Sequence, residues 1–518
     1  MCYTKHMRKI FKFFKVNDSY KNAKYSLITS LLISLLSYNQ FIINGYTNPD
    51  GIIEGLTSYV NATWHIVGCG RWFLPIIQSI FANINIPFVI VVFYCFFIWL
   101  AAFTITRIWN EDDLIFVVII SAVMCVTRTT LDHITTNSIA ISDSIACFLS
   151  TFFVYEVFKN KSNISYLVCI LCICLSLGVF QAYIGLSACL TLMTVIVLII
   201  KNDGNELNKK IIKALICGIC GVILYFICLK IIMGIFSLNA SGRMKDVTMK
   251  NIVSNILPHI KYAYYCYFHY YNDTILHKNI INYIVIFLTL LSIIYYLFKK
   301  HDYYLFVIIS LVLMPLASNI AILVMPEMTF ATNMSYQNIL IVPFAIISLR
   351  VILNNKIINN FIISLTIILC WLNIISVNAT LVCYKLSHES IKYQMSEILD
   401  DVIHSNEYVF NETPVIFVGY PNDSVLRKNI KTYKYAYDFD EINNIAFWNN
   451  EEIGYTYNRQ KYILNYFGID IKDISFDEYL SIIKTNDFIQ MPLWPNENSI
   501  KKINSILVVK LTKDPFIK

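Results

Sequence analysis

Apolar residues run through this chain in long stretches separated by short polar ones, and the lengths of those stretches predict the elements. A helix crossing a hydrocarbon layer of ~30 Å needs roughly 17–25 apolar residues, about twice what a crossing strand needs. Runs on this scale cover 25–43, 86–106, 114–130, 138–158, 165–178, 181–200, 211–236, 279–298, 302–325, 334–350 and 357–381. The pattern therefore predicts a polytopic α-helical membrane protein with about eleven transmembrane helices. The narrowest division separates 165–178 from 181–200, where "LSLGVFQAYIGLS" offers only Gly178 and Gln181 as a break.

Past residue 381 the pattern changes. "KLSHESIKYQMSEILDDVIHSN" is polar with helical spacing, and "TPVIFVGYP" is a short apolar strand closed by turn residues. "YTYNRQKYILNYFGI" reads as an amphipathic helix ended by Gly468, and "MPLWPNENSIKKINSILVVKL" as two strands joined by a polar turn. These features predict three parts: a basic tail over 1–24, a helical bundle over 25–381, and a small C-terminal α/β domain over 382–518.

Composition sharpens this reading. Residues are 57% hydrophobic and 14% charged, with a mean hydropathy of +0.58, where soluble domains hold roughly one quarter charged residues. A single soluble domain is excluded. The sparse charges are placed unevenly, which sets orientation through the excess of Lys and Arg in cytoplasmic loops. Lys5, Arg8, Lys9, Lys12, Lys15, Lys21 and Lys24 hold the N-terminus in the cytoplasm, and no cleavage site of the signal-peptide kind precedes the first run. With eleven spans, Arg107, Lys159, Lys161, Lys201, Lys209, Lys210, Lys213, Lys299, Lys300, Arg350 and Lys356 all fall on the same side. Merging 165–200 into one span would reverse every later loop. The segments 44–85, 129–137, 237–278, 326–333 and all residues after 381 are then extracytoplasmic, in a multi-pass membrane protein.

The net charge of +7 follows from this asymmetry and calls for no nucleic-acid partner. Most of the fifteen cysteines, among them Cys169, Cys172, Cys174, Cys217 and Cys220, lie in the apolar runs. There they read as small buried hydrophobes rather than as zinc or redox ligands. No metal site is predicted, the role of a divalent ion being left open, and no cofactor is called for. Within 237–278, "NILPHIKYAYYCYFHYYNDTILHK" concentrates Tyr, His and Phe as an interfacial helix would.

Candidate chemistry clusters in the extracytoplasmic segments. In "NPDGIIEGLTSYVNATWHIVGCGRWF", Asp50 and Glu54 share a face if a helix starts after Pro49, as a general base and its neighbour would. The structural alternative is a pair of solvated loop acids. Trp64, His65 and Arg71 follow, and a guanidinium at the membrane edge suits a phosphate or, equally, a lipid headgroup. In "TRTTLDHITTNSIAISDS", Arg128, Asp132 and His133 lie at the interface and Asp143 one turn into the next span. Ionisable groups at such depth are costly and mark function or a helix-pinning pair. Gln181 and Tyr183 stand at a helix break, and Arg243 follows Gly242 in the long loop.

These residues carry a resemblance that extends over almost the whole chain. "NPDGIIEGLTSYVNATWHIVGCGRWFLP", "ISDSIACFLSTFFVYEV", "GVFQAYIGLS" and "MPLWPNENSIKKINSILVVKL" are similar to the serotype-converting O-antigen glucosyltransferases of the Gtr type II family, which resemble GT-C membrane glycosyltransferases. The first and last segments are the more specific. The resemblance implies an inverting hexosyltransferase that moves a glucosyl or similar sugar from a polyprenyl-phosphate-linked donor to a surface-glycan acceptor. It places the catalytic carboxylate at Asp50, with Glu54 as a second acid. Arg71, Arg128 and Arg243 would bind donor phosphate, and Trp64, His65, Asp132, His133, Asp143, Gln181 and Tyr183 would bind substrate. One departure stands out: many GT-C enzymes carry adjacent acids in this loop, whereas Asp50 is followed by Gly51. A surface-glycan polymerase would share the topology but lack the segment 382–518. A lipid-linked sugar flippase or transporter would show inverted repeats and midplane polar residues, and neither is visible.

Overall fold

The computed structural model describes residues 17–47, 51, 66–81, 86–137, 139–204, 206–240, 249–269, 276–299, 303–324, 334, 336–409, 412–419, 435–436, 463, 467–469, 471–472 and 474–511. Contacts divide the chain into two units. One comprises Met1–Ile42, Val60–Ile134 and Ser138–Val377; the other comprises Ile43–Tyr59, Thr135–Asn137 and Asn378–Lys518.

The first unit is a helical bundle. In chain order its helices are α1 (Asn17–Ser37), α2 (Asn39–Asn44, whose last residues belong to the second unit), α3 (Leu74–Ile80), α4 (Pro87–Ile108), α5 (Leu114–Cys125), α6 (Arg128–Ile134), α7 (Ile139–Lys159) and α8 (Asn163–Val179). There follow α9 (Tyr183–Ile200), α10 (Leu207–Ile235), α11 (Met249–His269), α12 (Leu276–Lys299), α13 (Tyr304–Ser318), α14 (Ile320–Val324), a 3-10 turn at Tyr336–Leu340, α15 (Ile341–Leu353) and α16 (Lys356–His404, whose residues from Asn378 on belong to the second unit). Each of the eleven apolar runs is largely helical. Among the described residues, seven helices are long and apolar enough to cross a membrane, or eight if the bent pair α5–α6 is one span; α8 and α13 are apolar but shorter. The chain belongs among polytopic helical membrane proteins.

Its surface agrees. α1 buries Ser19, Asn22, Ser26, Ser30, Ser34 and Ser37 while exposing Ile28, Leu32, Leu35 and Leu36, the inverse of a water-soluble amphipathic helix. In lipid no hydrophobic gain separates helix from solvent, so small and polar residues take the helix contacts and large apolar ones face outward. Trp99 Nε1 of α4 donates to Ser26 Oγ at 2.9 Å, joining the two helices. α10 likewise exposes Ile212, Leu215, Ile219, Ile223, Phe226 and Ile231 along its length, an apolar face too extensive for water. α7 packs against α4 and α8, α8 against α10, and α9 against α13.

The division inside 165–200 is real. α8 ends at Val179, Phe180 is extended (φ −156°, ψ 125°), and α9 begins at Tyr183. Alternation of helix direction gives the bundle two ends. One gathers Arg71, the α5–α6 bend and the α8–α9 break; the other gathers Arg107, Lys159, Lys201 and Arg350.

In the second unit, β1 (Val415–Val418), β2 (Ile500–Ile503) and β3 (Ile506–Lys510) form a sheet in the order β1-β3-β2, with β1 parallel and β2 antiparallel to β3. Asn504 (φ 48°) and Ser505 (φ 67°) make the two-residue turn between β2 and β3, both left-handed as such tight hairpins require. α17 (Phe476–Ile483) and α18 (Asn486–Gln490) cover the sheet, burying Tyr479, Ile482 and Phe488 with Ile416, Val418 and Val508. Ser475 and Glu478 form a reciprocal capping box at the start of α17. Lys510 Nζ donates to the carbonyls of Phe488, Ile489 and Met491 at 2.7–3.0 Å, satisfying the end of α18. Most of the expected helix over 455–469 lies outside the described residues.

Candidate functional site

The Arg71 end is assembled from a loop terminus, a helix break and a bend. Residues Ile66–Gly68 form a helical turn. It closes as a Schellman motif: Gly70 N donates to Val67 O at 2.8 Å and Arg71 N to Ile66 O at 3.1 Å, with Gly70 at φ +87°. Only glycine holds that conformation without strain, and it leaves the carbonyls of Cys69 and Gly70 in need of donors. Gln181 Nε2 donates to Cys69 O at 2.8 Å, Tyr225 OH to Gly70 O at 3.0 Å, and Gln181 Nε2 also to Tyr225 OH at 3.0 Å. Phe73 N donates to Gly178 O at 2.8 Å. A Cβ on Gly178 would sit 2.8–2.9 Å from Phe73 and Trp72, so the absent side chain permits the approach. Arg71, half-buried, lies with its guanidinium carbon 4.5 Å from the centroid of Phe180.

The bend contributes the second cluster. α5 and α6 meet at 54°, and Thr127 caps α6 by accepting from Thr130 N at 3.1 Å. α6 carries Arg128, half-buried, and Asp132 and His133, both buried. His133 Nδ1 is 2.6 Å from Asp143 Oδ2, with side chains 2% and 7% exposed. The His133 ring meets Tyr336 edge-on at 5.0 Å, Tyr183 lies 5.6 Å from Tyr336, and Tyr336 shares a 3.1 Å hydroxyl contact with Tyr94. Phe180 meets Tyr183 edge-on at 6.3 Å, so rings connect the Arg71 seat to the His133–Asp143 pair. The buried Tyr183 hydroxyl has no hydrogen-bond partner among the described residues, where buried polar groups ordinarily have one.

Of the residues singled out from sequence, Arg71 and Gln181 are thus brought together, as are His133, Asp143 and Tyr183. Asp50, Glu54, Trp64, His65 and Arg243 lie outside the described residues. Tyr225, Tyr336, Tyr94 and Phe180 were not anticipated. Their only signal was an aromatic or hydroxyl-bearing residue in an apolar run, which most spans contain.

The second unit holds the flanks of Asp50. His388 Nε2 donates to Thr47 O at 2.9 Å and its ring stacks on Tyr46 at 4.7 Å, while Asn137 Nδ2 donates to Gly51 O at 2.8 Å. A Cβ on residue 51 would stand 2.5 Å from Thr135 O and 2.6 Å from Thr47 Cβ. Packing therefore explains why no second acid follows Asp50. Among the described residues no three His, Cys, Asp or Glu side chains are grouped to hold a metal ion.

The opposite end differs in kind. Arg350 pairs with Glu111 and, at 3.3 Å, with Asp113, its guanidinium 4.1 Å above Phe116, and Arg107 pairs with Asp112. Lys201 Nζ donates to the carbonyls of Trp109 (2.7 Å) and Asn110 (3.1 Å), and burial holds its pKa below the usual lysine range.

A bundle of apolar helices with a buried polar cluster toward one end defines a multi-pass membrane protein. A sequence model of the family described as Glucosyl transferase GtrII matches residues 40–342, more than half of the chain, and the chain belongs to that family. This supports a glycosyltransferase activity on surface glycans. The matched region spans the Arg71 seat, the His133–Asp143 pair and Tyr336. No curated protein and no solved structure matches the chain.

Proposed function

We propose that the protein transfers a glucosyl or similar sugar from a polyprenyl-phosphate-linked donor to a surface-glycan acceptor on the outer face of the plasma membrane. The observation that carries this reading is the seating of Arg71, with no carboxylate partner among the described residues, within the family-matched region at the bundle end opposite the basic loops. In this reading the architecture is GT-C-like with about eleven spans. The N-terminus is cytoplasmic, and the Arg71 end and the α/β domain at 382–518 are extracytoplasmic, with the domain holding acceptor near the membrane.

The chemistry is a single displacement. Asp50 removes the proton from an acceptor hydroxyl as its oxygen attacks the anomeric carbon, and the bond from that carbon to the phosphate oxygen breaks, leaving the electron pair on the lipid phosphate. One displacement inverts the anomeric configuration. Arg71, with Arg128 and Arg243, stabilises the charge that develops on the leaving phosphate. Glu54 shares or tunes the proton on Asp50. Trp64, His65, Asp132, the His133–Asp143 pair, Gln181 and Tyr183 shape the substrate site, the Tyr183 hydroxyl being available to a substrate oxygen.

The test is Asp50→Asn in lipid vesicles supplied with a polyprenyl phosphoglucose and the purified surface glycan. Loss of a general base lowers rate by roughly 10²–10⁴, so transfer should nearly vanish while insertion and donor binding persist. Transfer at the original rate would remove Asp50 from the mechanism.

A further inference from the structure

Resting on the reading of Arg71 as the cation for the donor phosphate, we infer that Gln181 and Tyr225 are positioning residues that fix Arg71 for that phosphate. Neither need touch the donor. Their bonds form a closed set: both N–H groups of the Gln181 amide are used, one on Cys69 O and one on Tyr225 OH, and the Tyr225 hydroxyl spends its own proton on Gly70 O. Two successive carbonyls immediately before Arg71 are thereby tied to two separate elements, the α8–α9 break and the middle of α10. The same break supplies Phe180, the ring beneath the guanidinium. Clamp and platform are neighbours in sequence, so the position of Arg71 relative to Phe180 is set by one short segment.

The consequence is directional. A guanidinium lying against a ring leaves its edge N–H groups for a planar fork of oxygens, which is how arginine recognises phosphate. Arginine's long stem would otherwise sample many rotamers and bind at the cost of ordering them. The clamp closes tightly on Gly70, since a Cβ there would stand 2.3 Å from Gln181 Nε2 and 2.5 Å from Tyr225 OH, so no residue with a side chain fits without displacing one of them. Removing the Tyr225 hydroxyl leaves Gly70 O and one Gln181 N–H without partners in an apolar bundle, and the segment would shift to find them.

A double-mutant cycle separates positioning from general stabilisation. The full-length protein in lipid vesicles is assayed with a polyprenyl phosphoglucose as donor. Tyr225→Phe should raise the donor KM roughly tenfold with kcat changed far less, and Gln181→Met, similar in size but without N–H groups, should do the same. Arg71→Ala should raise KM at least as much, and adding Tyr225→Phe to Arg71→Ala should then cost nothing further. Additive losses, or an unchanged KM in Tyr225→Phe and Gln181→Met, would overturn the inference. A readout independent of the donor accompanies it: peptide-resolved maleimide labelling of the half-exposed Cys69 should speed up in Tyr225→Phe. Faster labelling together with a normal donor KM in Arg71→Ala would instead sink the phosphate role of Arg71, and with it the functional half of this inference.

Discussion

Arg350 and Arg71, at the two ends of the helical bundle, are held in different ways. At the Arg350 end, charge meets charge: Arg350 with Glu111 and Asp113, Arg107 with Asp112, Glu206 with Lys161 and Lys209. At the Arg71 end, the guanidinium rests on an aromatic ring, and the hydrogen bonds around it are used up by backbone carbonyls, Gln181 and Tyr225. Paired charges hold helices together and have little left for a ligand. A cation whose surroundings are satisfied without it keeps its own donors for an incoming anion. On the proposed reading of Arg71, the contrast separates a fastening from a receptor, and it can be attacked from both sides.

The largest effect is expected at the fastening. Glu111 is almost fully buried and also accepts from Asp113 N at 3.0 Å. Breaking a buried pair by removing one partner costs about 3 kcal/mol or more. Glu111→Ala should therefore lower the thermal unfolding midpoint strongly while the donor KM of the folded fraction stays put; a raised KM with normal stability would dissolve the distinction between the ends.

Gly70→Ala comes next and should show the reverse pattern. A non-glycine residue at φ +87° carries strain of about 1–3 kcal/mol, to which the close approaches of Gln181 and Tyr225 add. The loss should fall on donor KM and on the exposure of Cys69, with a smaller change in global stability. Donor kinetics like those of the parent would show that the seat tolerates rearrangement.

The smallest effect is expected from acid. Hydrogen bonds from Lys161 and Lys209 hold the Glu206 carboxyl down to about 2. A depressed carboxylate contributes stability above its unfolded value of roughly 4.3, and that contribution is lost as pH falls toward 2. Because the group is exposed, the slope should be shallow and weaken with salt. Thermal midpoints measured between pH 5 and 3 should fall less in Glu206→Gln than in the parent, and identical slopes would mean that these pairs fasten nothing.

Much of the fold was legible because lipid imposes one demand over long stretches: a helix of sufficient length with its backbone internally bonded. Glycine was also informative at this site. Gly178 with Gln181 announced the break between α8 and α9. The partners were hidden for a different reason. Tyr225 reaches Gly70 across 155 positions and Tyr336 reaches Tyr94 across 242, and no local spacing records such pairs. A tyrosine in a span reads as an interface anchor or a packing residue, so its hydroxyl becomes meaningful only when another element supplies the acceptor. Gly51 was visible as a departure from adjacent acids, but the nearness of Thr47 and Thr135 O that leaves no room for a side chain there was not.

The parallel pairing of β1 with β3 sets a schedule for biosynthesis. Val415 is registered against Leu507, 92 positions later (507 − 415), and β3 is also the strand that β2 requires. Chains grow at roughly 5–20 residues per second, so β1 waits on the order of 5–20 s after synthesis with its apolar edge unfilled. During that interval Ile416 and Val418 have no Val508 to pack against. An edge left open for seconds invites pairing with the wrong strand, which makes the last dozen residues of the described chain the step that ends this exposure and a sensitive place for any truncation.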